Sequence, residues 1–204
     1  DWASLHLTLA GKKLLYSLWL SKQAPGWCGT RLKVTRWPPG SDDKCPNRKR
    51  PEERSTHLNV CPCPHRTRQF IESVCDLGPW LGNVHTDPEI AYWIPRYLLA
   101  RNRIKLMELS SIIPVGEFTP MSTQMKMVAT AQDAIGWKHF LEGKVTGHLR
   151  GMQHLHLSRR DCRINSEDWI KQFISRLLKI SHTQWIFRCI TLHDAQQGHL
   201  ARLR

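Results

Sequence analysis

The sequence predicts a mainly α protein, a helical bundle interrupted by an irregular Cys/His loop or short hairpin in its N-terminal third. Three observations carry this. Apolar residues recur at helical spacing over most of the 204 positions, residues 24–43 are broken by Pro25, Gly26, Gly29, Pro38, Pro39 and Gly40, and Cys45, His57 and Cys61 follow directly.

From Trp2 to Gln23, Leu7, Leu14, Leu15, Leu18 and Trp19 predict a core helix that Gly11 can divide. Residues 24–43 exclude a long helix, so Leu32, Val34 and Trp37 are expected in a loop or hairpin leading into the Cys/His stretch. Phe70, Ile71, Val74, Leu77 and Leu81 predict a packing helix ended near Gly82 and Asn83. Thr86-Asp87-Pro88-Glu89 reads as a capping box with Thr86 as the cap. The helix it opens should run to about Leu109, kinked at Pro95.

Pro114, Gly116 and Pro120 mark a linker over 111–122. It divides residues 1–110, with the loop and two packing helices, from an all-helical region 123–204. In the latter, Val128, Ala131, Ile135 and Phe140 predict a helix over 123–143 with Gly143 as C-cap, and a short helix covers 147–156. Asn165 or Ser166 caps a long helix through Trp169, Phe173, Leu177 and Trp185 to about Leu192. His148, His154 and His156 suggest a metal site, but the last two would point to different sides of their helix.

With 41% hydrophobic residues and nine Trp the chain has material for a core. Its net charge of +13 is uneven: residues 1–68 hold 13 basic and 5 acidic side chains, a net of +8. Such an excess suits a nucleic-acid backbone, from which it releases counterions. The alternative is a basic protein with no particular partner. Seven irregularly spaced cysteines argue against a disulfide framework and for a reducing compartment, intracellular and either nuclear or cytoplasmic. The run Leu14 to Leu20 falls far short of the roughly 20 residues that span a bilayer, so no membrane partner is expected. Because the sequence begins with Asp1, it is read as a piece of a longer protein.

Cys45, His57 and Cys61 are soft metal-ligand types in a basic loop. Zinc takes four such ligands, and a Cys-x2-Cys-x8-His-x3-Cys frame would supply them if residue 48 were not Arg, whose guanidinium has no lone pair to give. A fourth ligand would come from Cys63, His65, Cys28 or water. Alternatively Cys45 and Cys61 are small apolar loop residues and His57 a surface histidine. Around the frame, Lys44, Arg48, Lys49, Arg50, Arg54, Arg66 and Arg68 are candidates for phosphate contact, with Trp27 and Trp37 as stacking platforms or core anchors.

Cys45-Pro46-Asn47-Arg48, then Glu52-Glu53, then His57-Leu58-x-x-Cys61 resembles the zinc-binding segment that follows the reverse transcriptase in non-LTR retroelement proteins. Trp19-Leu20-Ser21-Lys22-Gln23, Gly26, Cys28-Gly29 and Trp37 resemble the segment before it. Gln132 to Trp137, Phe140 to Lys144, Gln184-Trp185-x-x-Arg188 and His193-Asp194 resemble blocks that follow it. Arg48 stands where that family has Cys, and Cys189 where Asn is expected after Arg188. The resemblance implies a degenerate zinc segment holding zinc weakly or not at all, an RNA or DNA partner, and an upstream polymerase domain in the same polyprotein.

There is no Tyr-x-Asp-Asp, Gly-x-Ser-x-Gly, His-Glu-x-x-His or P-loop signature, and the carboxylate pairs Asp42-Asp43 and Glu52-Glu53 are adjacent residues, not a spaced metal clamp. The expectation is a non-catalytic nucleic-acid-binding tail. The alternatives are an inert structural or protein-interaction remnant, and a hydrolase built on three ligands and an open metal position, for which no general base is placed.

Overall fold

A computed structural model describes residues 3, 8, 14–23, 29–34, 42–49, 51, 53–112, 120–160 and 164–202. Every regular element among them is a helix, and no strand occurs. In chain order these are α1 (Leu14–Gln23), α2 (Arg31–Val34), α3 (His57–Val60), α4 (Pro64–Cys75), α5 (Leu77–Asn83) and α6 (Pro88–Leu99). They continue as α7 (Leu106–Ile112), α8 (Thr123–Ile135), α9 (Trp137–Phe140), α10 (Gly147–Leu157) and α11 (Ser166–Arg202). The helical expectation holds. Within the stretch expected as a loop or short hairpin, Arg31–Val34 is a turn of helix, and residues 24–28 and 35–41 lie outside the described ones. No helix among the described residues is long and apolar enough to cross a membrane.

The chain forms two compact units, one of residues 1–11 and 71–179, the other of residues 12–70 and 180–204. This division differs from the expected break at 111–122, of which residues 113–119 lie outside the described ones. The reason lies in hydrogen bonds that join the two sides of that stretch. Both carboxylate oxygens of Asp133 on α8 accept from the first amides of α7, Leu106 N–H at 2.8 Å and Met107 N–H at 3.0 Å, and the Glu89 carboxylate accepts Ser122 N–H at 2.8 Å.

The first unit is built on aromatic packing. Trp169 and Phe173, one turn apart on α11, lie parallel at 5.1 Å; Trp80 stacks on Trp169 at 6.4 Å, and Phe140 and Tyr97 continue the cluster. Trp169 Nε1–H donates to Thr86 Oγ1 at 2.9 Å, which gives this fully buried indole its partner. That bond also corrects the expected cap. Thr86 serves Trp169, and Asp87 caps α6 by accepting from Glu89 N–H and Ile90 N–H.

Two helices end earlier than periodicity suggested. The helix expected to reach Leu109 stops at Leu99, because Arg101 and Asn102 adopt left-handed φ of 48° and 62° and turn the chain before α7 begins. The helix expected over 123–143 is interrupted at Gly136, whose φ of 94° and ψ of 151° suit only glycine. The segment read as one helix from Phe70 is two, α4 starting already at Pro64. Asn165 caps α11 by accepting Asp168 N–H at 2.8 Å, and that helix continues to Arg202, beyond Leu192.

The block Gln132 to Trp137 thereby acquires a structural chemistry. The buried Gln132 amide accepts from Thr146 N–H and donates to Lys144 O, Asp133 caps α7, Gly136 breaks the helix, and Trp137 Nε1–H donates to Tyr97 O at 3.0 Å. In the block Phe140 to Lys144, buried Glu142 is bound by His139 Nδ1 at 2.7 Å and Lys144 Nζ at 2.8 Å. Replacing Asp133 by Ala should cost about 1 kcal/mol, the usual loss for a helix cap. Urea denaturation measures it, and no change in midpoint would show that water serves the two amides equally well.

Candidate metal centre and its basic loop

The loop from Cys45 begins with a tight turn. Cys45 O accepts N–H from both Arg48 and Lys49, at 3.2 and 2.7 Å, and Lys49 adopts a left-handed φ of 58°. The turn also directs the amides of Asn47 and Arg48 at the Cys45 sulfur. Downstream, the single-turn helix α3 carries His57 at its start, and Cys61 follows as its C-cap.

These elements bring three of the expected ligands together. One ligand atom each from Cys45, His57 and Cys61 lie within 4.8 Å of one another, so the group can hold a metal ion. Cys45 and Cys61 are 1% and 0% exposed, with sulfurs 3.8 Å apart. That is far beyond a disulfide bond. It matches the separation of about 3.8 Å between two thiolates each about 2.3 Å from one tetrahedral zinc. His57 Nε2 is buried with no hydrogen-bond partner, which costs free energy unless something ligates it. The donor set fits zinc.

The electrostatics of the pair point the same way. The Cys61 thiol, hydrogen-bonded to Cys45, pulls the Cys45 thiol well below the ordinary range, and His57 and the Asn47 and Arg48 amides reinforce this against the effect of burial. Bonding to Cys45 holds Cys61 above that range, burial adding to it, while the Cys63 amide and the Arg66 guanidinium act in the opposite sense.

Among the described residues, the other candidate ligands are not in the cluster. Cys63, expected as a possible fourth ligand, is half-buried and enters the site through its backbone amide, directed at Cys61 Sγ. His65 is exposed on the first turn of α4. Cys28 lies outside the described residues, as do Arg50, Trp27 and Trp37. His154 and His156 pair with Ser166 Oγ and Asp87 instead.

Of the basic residues, Lys44, Lys49, Arg54 and Arg68 are exposed and Arg48 is half-buried. Lys44 Nζ lies 3.8 Å from the Asp42 carboxylate. Arg66 is a correction: expected to meet phosphate, it is 0% exposed. Its guanidinium donates to Leu58 O and to Gln184 Oε1 and O, and Gln184 Nε2–H donates back to Arg66 O at 3.2 Å. Starting α4 at Pro64 turns this side chain inward, where it braces the backbone next to His57.

Sequence reasoning missed the groups that hold the loop. Glu53 is fully buried and paired with Arg188 through both carboxylate oxygens, the shortest approach 2.7 Å, and it also accepts Arg31 N–H at 2.8 Å. Asn59 Nδ2–H donates to Ser181 Oγ at 3.1 Å, and Asn47 Nδ2–H to Thr191 Oγ1 at 3.2 Å. Close by, His182 packs against Tyr16 and Trp19, each ring at 4.7 Å, and burial lowers its pKa. The available signal was Gln184 and Arg188, four residues apart in a helix otherwise read for its apolar side. No known family, curated protein or solved structure matches the chain.

Proposed function

We propose that this chain is a non-catalytic nucleic-acid-binding module whose basic loop is stapled by zinc at Cys45, His57 and Cys61. The observation that carries the reading is the gathering of two buried sulfurs and an unpartnered imidazole nitrogen under a loop with Lys44, Lys49 and Arg54 exposed and Arg68 just beyond. A dication there is ligated by the Cys45 and Cys61 sulfurs and satisfies His57. The exposed cations then meet phosphates without reading sequence. The resemblance to segments that follow reverse transcriptases supports RNA or DNA as the partner and a retroelement protein with an upstream polymerase as the origin.

The test has two arms. Protein from zinc-supplemented expression should carry zinc, at less than one ion per chain after dialysis because the described residues supply three ligands and leave one corner without one. Replacing Lys49, Arg54 and Arg68 together by Ala should weaken binding to single-stranded RNA and reduce its salt slope by about 0.7 for each phosphate no longer neutralised. Equal binding by variant and parent across the salt titration would favour the competing reading, a structural remnant, to which the burial of Arg66 and the pairing of Lys44 with Asp42 already lend weight. Metal-dependent turnover of a nuclease or esterase substrate would instead support a hydrolase at the open position.

A further inference from the structure

Ser181, Gln184, Arg188 and Thr191 stand three, four and three residues apart, the spacing of one face of a helix. Each holds a different point of the Cys/His segment. Thr191 takes Asn47, Arg188 takes Glu53, Ser181 takes Asn59, and Gln184 takes Arg66, which in turn holds Leu58 O. These points bracket the ligands: Cys45 is two residues before Asn47, His57 is next to Leu58, and Cys61 is two residues after Asn59.

We infer that this face of α11 is a positioning surface for the metal centre, through which Ser181, Gln184, Arg188 and Thr191 govern metal affinity without touching the metal. This rests on the metal reading proposed above. Three ligands drawn from residues 45–61 must otherwise be gathered from a flexible segment, and ordering that segment opposes binding. Anchored on α11, the segment is already gathered when the metal arrives. If the anchors are removed, the competent fraction falls and the apparent dissociation constant rises in inverse proportion. The coupling is reciprocal, so metal must stabilise the anchored stretch of α11 by the same factor. Outer groups that orient ligands in this way commonly change metal affinity by about 10–100-fold.

The experiment titrates the full chain with cobalt(II), whose thiolate charge-transfer and d–d absorption report both occupancy and tetrahedral geometry. Two conservative variants avoid gross unfolding: Ser181→Ala combined with Thr191→Val, and Arg188→Lys, which keeps the charge but loses the two-pronged bond to Glu53. Each should bind cobalt about tenfold more weakly than the parent, with the same spectrum at saturation. Ile190→Ala, on an exposed position of the same helix, should leave affinity unchanged. In the parent, cobalt should slow amide exchange over 181–191 as well as over 45–61. Parent-like affinity in both variants would overturn the inference while leaving the metal reading intact; a parent that binds no cobalt would overturn the metal reading and the inference with it.

Discussion

Replacing Arg188 by Ala should destabilise the unit formed by residues 12–70 and 180–204 by about 3–5 kcal/mol, because it leaves the Glu53 carboxylate charged and unpaired in the interior. Glu53 is 0% exposed, and besides Arg188 it has the Arg31 amide as a donor. One amide bond cannot offset the desolvation of a full charge. The intact pair is a different matter, since a buried ion pair exchanged for apolar residues of like volume is commonly neutral or better. The double variant Glu53→Leu with Arg188→Met should therefore recover most of the loss. Urea unfolding followed by circular dichroism compares the parent, Arg188→Ala and the double variant. A loss below about 1 kcal/mol in the single variant would mean that water reaches Glu53 once the guanidinium is gone.

Arg48→Cys should raise zinc affinity by more than the roughly 10–100-fold that outer-shell changes typically command, since it supplies a ligand directly. The turn closed by the Arg48 and Lys49 amides on Cys45 O keeps residue 48 beside the Cys45 sulfur. A thiolate there completes a four-ligand set of three sulfurs and one imidazole, and removes a cation from the vicinity of the metal. Zinc should then survive dialysis at one ion per chain. Competition with a chromophoric chelator compares the two proteins. Proteolysis over 42–66 supplies the second readout: the variant should resist cleavage more than the parent only with zinc present, because the anchors on α11 already order this segment without metal. No gain in affinity would show that residue 48 points away from the group and that the fourth position belongs to solvent.

The blocks Gln132 to Trp137 and Gln184 to Arg188 show where residue patterns stopped being informative. Both were visible as blocks with no chemistry to attach, since a Gln or Asp in a helix sequence does not reveal which distant amide it will serve. The structure supplies the partners: Asp133 caps a helix that begins 27 residues earlier, and Gln184 binds Arg66 across 118 positions. Arg66 was misjudged for the same reason. A guanidinium in a basic stretch reads as a phosphate contact until the helix start at Pro64 fixes which way it faces.

The helical class was legible in the order of residues, because apolar spacing reports on the chain's own period. So was the set Cys45, His57 and Cys61, because only a few side-chain types ligate soft metals and their spacing is local. Folding in three dimensions was needed to establish that these three converge, that Cys63 contributes an amide in place of its sulfur, and that the loop rests on Ser181, Gln184, Arg188 and Thr191. The last of these depends on pairs separated by more than a hundred residues, whose meeting is set by tertiary packing and leaves no periodic trace in the chain.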